Sequence, residues 1–319
     1  MCPAAAMPLL VVLTGPTGSG KSECALQLVQ HLITRLPAEI VSVDSAQVYR
    51  GMDIGTAKPD SATRARVAHH LLDIRDPAQS YSAGDFVRDA RAAFAAIHAR
   101  GALPLLVGGT MLYLQALREG LAKLPPASPE IRRQIDALAA ADGWPAVHAQ
   151  LALVDRAAAA RIAPQDAQRV QRALEVYRLS GVPISEWQAR TEGTRTQYRW
   201  MRYALWPDSR ENLRRRLHTR FDAMLRAGLV DEVQGLYARA DLTAEHTAMR
   251  AVGYRQLWRY CAGQVGLVEA SAAAVAASSQ LAKRQLTWLR RDRDVTLLGD
   301  TSVGVLEALT AKICVAACA

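Results

Sequence analysis

Short apolar runs closed by glycine or a polar residue alternate with stretches of helical spacing over the first third of the chain. Leu9-Leu-Val-Val-Leu13 is a β-branched run bounded by Gly-Pro-Thr-Gly, which predicts a buried strand, a turn, and then a helix from about Lys21 to Ile33. Ile40-Val-Ser-Val43 and Leu103-Pro-Leu-Leu-Val107 repeat the pattern, with a helical segment over Ala83 to Arg100 before the second of them. Strands that alternate with helices predict an α/β fold built on a parallel sheet covered on both faces.

After Gly120 the texture changes. Leu124-Pro-Pro-Ala-Ser-Pro129 is a turn cluster, and the Ala-rich helical spacing that follows predicts a helical insertion over residues 124–198. Arg199 to Leu205 alternates in the manner of a strand that returns the chain to the sheet. The expected organisation is therefore a core made of 1–123 and 199–319, interrupted by the insertion. A further helix is expected from an N-cap at Asp208 or Ser209 to a terminating Gly228. Leu213, Leu217, Phe221 and Met224 make its apolar face, and Arg220 falls at the edge of that face.

Composition narrows the class. The chain has 319 residues, 50% of them hydrophobic, enough for a full core. Its longest apolar runs, Leu9 to Leu13 and Ala272 to Ala277, fall well short of the roughly 20 residues of a membrane helix, so no membrane span is expected. Met1 to Met7 lacks the basic start of a secretory signal, which makes a cytoplasmic protein the expectation. The five cysteines form no CxxC pair and no HExxH occurs, which argues against a disulfide framework or a histidine metal cage. The net charge of +9 is unevenly placed: residues 1–160 carry 15 basic against 14 acidic side chains, and residues 161–319 carry 24 against 16. Such a basic half suits either a polyanion site or a solvated helical surface.

One segment carries definite chemistry. Gly15, Pro16, Thr17, Gly18, Ser19, Gly20, Lys21 and Ser22 match GxxxxGK[ST] between a predicted strand and a predicted helix. Glycines let backbone N–H groups turn around a phosphate chain, the helix end and Lys21 add positive charge, and the Ser22 hydroxyl can hold Mg²⁺. That predicts a diphosphate or polyphosphate ligand without naming the reaction. Asp44, at the end of the Ile40–Val43 strand, stands where such proteins place a residue for metal or water.

Val43-Asp-Ser-Ala-Gln-Val-Tyr-Arg-Gly-Met-Asp-Ile-Gly-Thr-Ala-Lys-Pro59 resembles the characteristic segment of the tRNA dimethylallyltransferase family. Further blocks resemble it in order: His69 to Asp73, Tyr81 to Phe86, Gly108 to Tyr113, Asp166 to Glu175, Met249 to Arg255 and Leu281 to Trp288. The resemblance implies a P-loop nucleotide-kinase-like core with a helical insertion, Mg²⁺ as cofactor, and dimethylallyl diphosphate and a tRNA anticodon loop as partners of a monomer. The reaction implied is transfer of the dimethylallyl group to N6 of an adenosine in that loop. Carried onto matching positions, Gly15 to Ser22 and Arg220 bind the diphosphate, and Asp44 is the general base. Contacts to tRNA fall on Asp44, Ser45, Ala46 and Gln47, on Thr110 in the channel between the two substrates, and on Arg132, Gln168, Arg169, Val170, Gln171 and Arg172. In the last third they fall on Arg250, Ala251, Val252, Gly253, Tyr254 and Arg255, with Lys283 and Arg284 added by the basic stripe around them. Gly18, Ser22 and Ala251 depart from the residues usual in the family, and no zinc module follows the core, as in the bacterial form. Three other readings stay open on the residues alone: prenyl transfer to free adenine nucleotides, a small-molecule kinase, and a non-catalytic RNA-binding module.

Overall fold

Leu9–Thr14 forms β1, and all six of its residues are buried, so both faces of the strand are covered. The structure, a computed structural model, describes residues 7–189, 198–299 and 302–318. Ala38–Val43 (β2), His69–His70 (β3), Leu103–Gly108 (β4), Arg199–Leu205 (β5) and Thr296–Leu298 (β6) complete one sheet, in the order β3-β2-β4-β1-β5-β6. Every neighbouring pair is parallel. The α/β class and the four longer strands agree with the sequence pattern. The edge strands β3 and β6 carry no readable periodicity at two and three residues, and only pairing across the sheet defines them. His69 and His70 lie in β3, and His70 Nε2 is 2.6 Å from Glu39 Oε2.

The helices of the first part are Lys21–Leu32 (α1), Ser61–Arg66 (α2) and Ala83–Ala99 (α3), followed by Met111–Glu119 (α4). A capping box starts α3, with Ser82 Oγ accepting the Asp85 N–H and Asp85 accepting the Ser82 N–H. After the insertion come Arg210–Arg226 (α10), Leu229–Tyr237 (α11), Tyr254–Cys261 (α12), Leu267–Arg291 (α13) and Val303–Cys318 (α14). Ser209 caps α10, and Gly228, at φ 97°, follows its last turn. On one face of the sheet, Val11, Leu13, Leu105 and Val107 pack with Leu28 and Leu32 of α1 and Leu309 and Ile313 of α14. Each such side chain contributes roughly 1.5–3 kcal/mol of burial, so the sheet's edge is a rigid base for the loops it carries.

The chain divides into two compact units, Met1–Gln115 with Thr196–Ala319, and Ala116–Arg195. The second holds Pro129–Asp142 (α5), Trp144–Val154 (α6), Arg156–Arg161 (α7), Ala167–Ser180 (α8) and Ile184–Ala189 (α9). Its own core gathers Ile135, Val147, Leu151, Val170, Leu174 and Ile184. Among the described residues no helix is long and apolar enough to cross a membrane.

Candidate active site

Because all strands run the same way, their carboxyl ends share one edge, and the loops after β1, β2 and β4 emerge side by side. The loop after β1 turns at Gly15, where an added Cβ would come within 2.8 Å of the Leu205 carbonyl oxygen and 2.9 Å of Ser19 Oγ. Gly20, in the left-handed region at φ 90°, starts α1 without a capping side chain, so the first N–H groups of that helix and their partial positive charge face the loop. Lys21 Nζ donates to the Pro16 carbonyl at 2.8 Å, closing the loop, and Ser22 is exposed in the first turn. Ser19 Oγ is buried with no hydrogen-bond partner among the described residues. Two backbone N–H groups of the loop are already donated, that of Ser19 to the Pro16 carbonyl at 3.2 Å within the loop and that of Thr17 at 2.8 Å to Gln285 Oε1, a partner far away along the chain.

Asp44 follows β2 and shapes its own turn, with Oδ1 accepting the N–H groups of Ala46 (2.8 Å) and Gln47 (3.3 Å). Thr110 follows β4. Its N–H reaches the Val43 carbonyl at 3.2 Å, and its Oγ1 accepts the Ser45 N–H at 3.1 Å. β4 lies between β1 and β2, so the backbone turns of the phosphate loop and of Asp44 are two strand spacings apart, roughly 10 Å. Thr110 stands in the interval. The segment after Asp44 is a folded platform: Gln47 bonds Ser42 Oγ and the Thr56 carbonyl, and Glu232 of α11 accepts the N–H groups of Asp53, Ile54 and Gly55.

Arg220 reaches the same place from α10. Leu213, Leu217 and Phe221 bury that helix's inner face, and Leu217 lies against the loop, 2.9 Å from where a Cβ on Gly18 would stand. Desolvation first and the Arg220 charge second push the Lys21 ammonium down, Asp44 partly offsets both, and the net result is about 8. Desolvation likewise lowers Arg220, and again Asp44 opposes the shift. Lys21, Arg220 and Asp44 thus form one electrostatic group, two crowded cations and one carboxylate. Such a group favours an anion with several negative oxygens. Among the described residues no three His, Cys, Asp or Glu side chains cluster as metal ligands. A cation here would take few protein oxygens, with Ser22 the nearest fit, which suits Mg²⁺ held mainly by water and phosphate.

The remaining expected residues are spread over both units. In the insertion, Gln168 and Arg169 are exposed on the first turn of α8, but Arg132 and Arg172 both bind the fully buried Glu175, at 2.9 and 2.6 Å. Gln171 donates to Asp136. Val170 is buried in the insertion's core, where its side chain packs α8 against the other helices of that unit. In the other unit Arg255 is exposed, and Arg250 pairs with Glu245 at 2.9 Å. Tyr254 is fully buried and its hydroxyl donates to Glu232. Its ring occupies the space that a Cβ on Gly55 would need, which again makes it a packing residue. Gly253, at φ 93°, donates its N–H to Gln256 Oε1, and Ala251 and Val252 are half-buried before it. Lys283 and Arg284 are exposed on α13. Gln285 and Glu175 fall inside blocks that resemble the family and Glu232 does not, but the distant residues that each of the three bonds are not readable from its neighbours.

Residues 47–292 match the family model described as IPP transferase. A protein of Bordetella pertussis (strain Tohama I) named tRNA dimethylallyltransferase is 53% identical over 309 residues, which cover 94% of this chain and 96% of that one. One of the same name from Thioalkalivibrio sulfidiphilus is 55% identical over 283 residues, 89% of this chain and 87% of that one. Among solved structures, the full-length tRNA isopentenylpyrophosphate transferase of Bacillus halodurans aligns with a TM-score of 0.68 at 36% identity, over 96% of this chain and 95% of that one. A eukaryotic dimethylallyltransferase described as acting on tRNA aligns at 0.74 and 28% identity, over 96% and 78%.

Proposed function

This chain belongs to the IPP transferase family, and from that premise we propose that it moves the dimethylallyl group of dimethylallyl diphosphate onto the exocyclic N6 of an adenine in the anticodon loop of tRNA. The observation that carries the chemistry is the electrostatic group of Lys21, Arg220 and Asp44 at the carboxyl ends of parallel strands. The diphosphate lies in the loop of residues 15–22, against the N–H groups of the α1 terminus, with Lys21 and Arg220 on its oxygens. Ser22 is the residue that would hold Mg²⁺ here, and the chemistry such an ion would supply is stabilisation of the charge that develops on the leaving group.

The adenine amine is a weak nucleophile because its lone pair is delocalised into the ring. Asp44 orients it and accepts its proton as the C–N bond forms and the allylic C–O bond breaks, and the electron pair of that bond leaves with the diphosphate. Oδ1 is occupied by its own turn, so Oδ2 is the proton acceptor. Unstacking the adenine costs a few kcal/mol, which exposed basic side chains such as Arg255, Lys283 and Arg284 offset by holding RNA phosphates.

Two measurements test this reading. Mass analysis of nucleosides from tRNA incubated with protein, dimethylallyl diphosphate and Mg²⁺ should yield a prenylated adenosine; phosphorylation of an acceptor by ATP instead would replace the proposal with a kinase. Single-turnover transfer by Asp44→Asn should drop by about 10²–10⁴-fold and stay low across a Mg²⁺ titration. Recovery at high Mg²⁺ would make Asp44 a metal ligand and end its assignment as base.

A further inference from the structure

Gln285 lies 268 residues from Thr17 and 176 from Gly109 along the chain, yet bonds both. Its Oε1 accepts the Thr17 N–H at 2.8 Å and its Nε2 donates to the Gly109 carbonyl at 2.8 Å. A neutral primary amide of this length both accepts and donates; a glutamate at the same place would only accept, a methionine has no donor and only a weak thioether acceptor, and an asparagine is one methylene short. Gln285 is 8% exposed, while its neighbours Lys283 and Arg284 face outward. The fit on the Gly109 side is close: a Cβ there would stand 2.4 Å from Gln285 Nε2, nearer than any real contact. Ala282 and Leu286, either side of Gln285 on α13, pack on Leu213 and Leu217 of α10, the helix that carries Arg220.

The bonds continue beyond Gly109. Thr110 holds the Ser45 N–H and the Val43 carbonyl, and Ser45 is the residue after Asp44. A continuous path therefore runs from the phosphate loop through Gln285, Gly109 and Thr110 to the turn of Asp44. We infer that Gln285 is a positioning residue that sets the spacing between the diphosphate loop and the Asp44 end, so that allylic carbon and adenine amine meet in line. This rests on the prenyl transfer proposed above. Gln285 Oε1 takes the Thr17 N–H, so that N–H fixes the loop to α13 and is not offered to the diphosphate. Errors of about 1 Å in such spacing cost on the order of 10²-fold in rate, far more than they cost either substrate in affinity.

The test compares wild type with Gln285→Met, which keeps length and volume, deletes the bond to Gly109 and leaves at most a weak thioether acceptor for Thr17, and with Gln285→Ala, Gly109→Ala and the double variant. The readouts are kcat, KM for dimethylallyl diphosphate, tRNA affinity without prenyl donor, and the thermal midpoint of each protein. For Gln285→Met we expect kcat to fall by about 30–100-fold with tRNA affinity within about two-fold of wild type and KM raised by no more than about ten-fold. Gly109→Ala should lose a similar factor, because its methyl would stand 2.4 Å from Gln285 Nε2 and 3.1 Å from the Gly15 carbonyl, and in the Gln285→Ala background, where only the Gly15 contact remains, it should cost clearly less than it does alone. Independent, multiplying losses in the double variant would overturn the inference. So would an unchanged kcat in Gln285→Met, or a loss that vanishes when rates are referred to the folded fraction. Transfer by wild type that Gln285→Met matches overturns this inference alone; no transfer by wild type overturns the functional reading and the inference with it.

Discussion

Lys21 shows how a single side chain can be tuned by its surroundings. Burial and the Arg220 charge hold its ammonium down to about 8, against an ordinary value of about 10.4. A depressed cation disfavours the folded state while it is charged, so this strain is present below about pH 8 and is relieved as pH rises from there towards the unfolded value. A diphosphate reverses the balance by favouring the charged form. Binding should therefore take up a proton near pH 8 to 9, and affinity for dimethylallyl diphosphate should fall as pH is raised through that range, by up to about ten-fold per unit. Lys21→Arg keeps its charge and should lose this dependence beyond what the ligand's own titration gives. Calorimetry in two buffers of different ionisation enthalpy measures the proton directly, and absence of uptake by the wild type would remove the argument.

At the scale of elements, the insertion is organised around one buried carboxylate. Glu175, on α8, accepts from the Ser128 N–H at the start of α5, from Arg132 and from Arg172, and Arg172 also donates to the Pro125 carbonyl. Burial alone would raise the Glu175 pKa, but the two arginines and the Ser128 N–H outweigh it and hold the carboxyl below the usual carboxylate range. Its contribution is thus complete at neutral pH and is lost as pH falls through that depressed value. The two arginines expected to face RNA serve first to tie the Pro-rich turn to α5 and α8. Glu175→Ala leaves two partly exposed guanidinium groups and a backbone N–H without their shared acceptor and should destabilise the insertion by about 1–3 kcal/mol. Hydrogen exchange over residues 116–189 should then accelerate while β1, β2 and β4 keep their protection. Unchanged exchange in the insertion would show that Glu175 does not hold it.

For the whole molecule the uneven charge matters more than its total. Residues 161–319 carry the surplus of basic side chains, and Arg214, Arg215, Arg255, Lys283 and Arg284 are exposed among them. Binding of tRNA should release counterions from its phosphates, so affinity should fall by at least an order of magnitude between about 50 and 200 mM salt. Free AMP, which forgoes those contacts, should be a far poorer acceptor. A flat salt response in a filter-binding or fluorescence titration would show that the basic half does not engage RNA.

Some of this was legible without coordinates, for a physical reason. A strand of six buried residues, a GxxxxGK[ST] turn and an N-capped helix are local: their residue types, spacing and backbone requirements lie within about a dozen neighbours, as Leu9–Thr14, Gly15 to Ser22 and Ser209 to Arg226 illustrate. The alternation of such pieces also settled the parallel sheet, and hence the edge at which Asp44 and Thr110 emerge. What the sequence left open depends on contacts between distant residues. The helical spacing of Val170, Ala173 and Leu174 and of Arg172 and Glu175 is readable locally, but nothing near Tyr254 marks it as buried against Gly55, and nothing near Arg132 announces Glu175 as its partner. Only the packing of α13 on α10 brings the Gln285 amide to Thr17 and Gly109. Periodicity reports which face of an element is apolar; which buried polar atom finds which partner is decided when the elements pack, because burial makes an unmatched donor or acceptor costly.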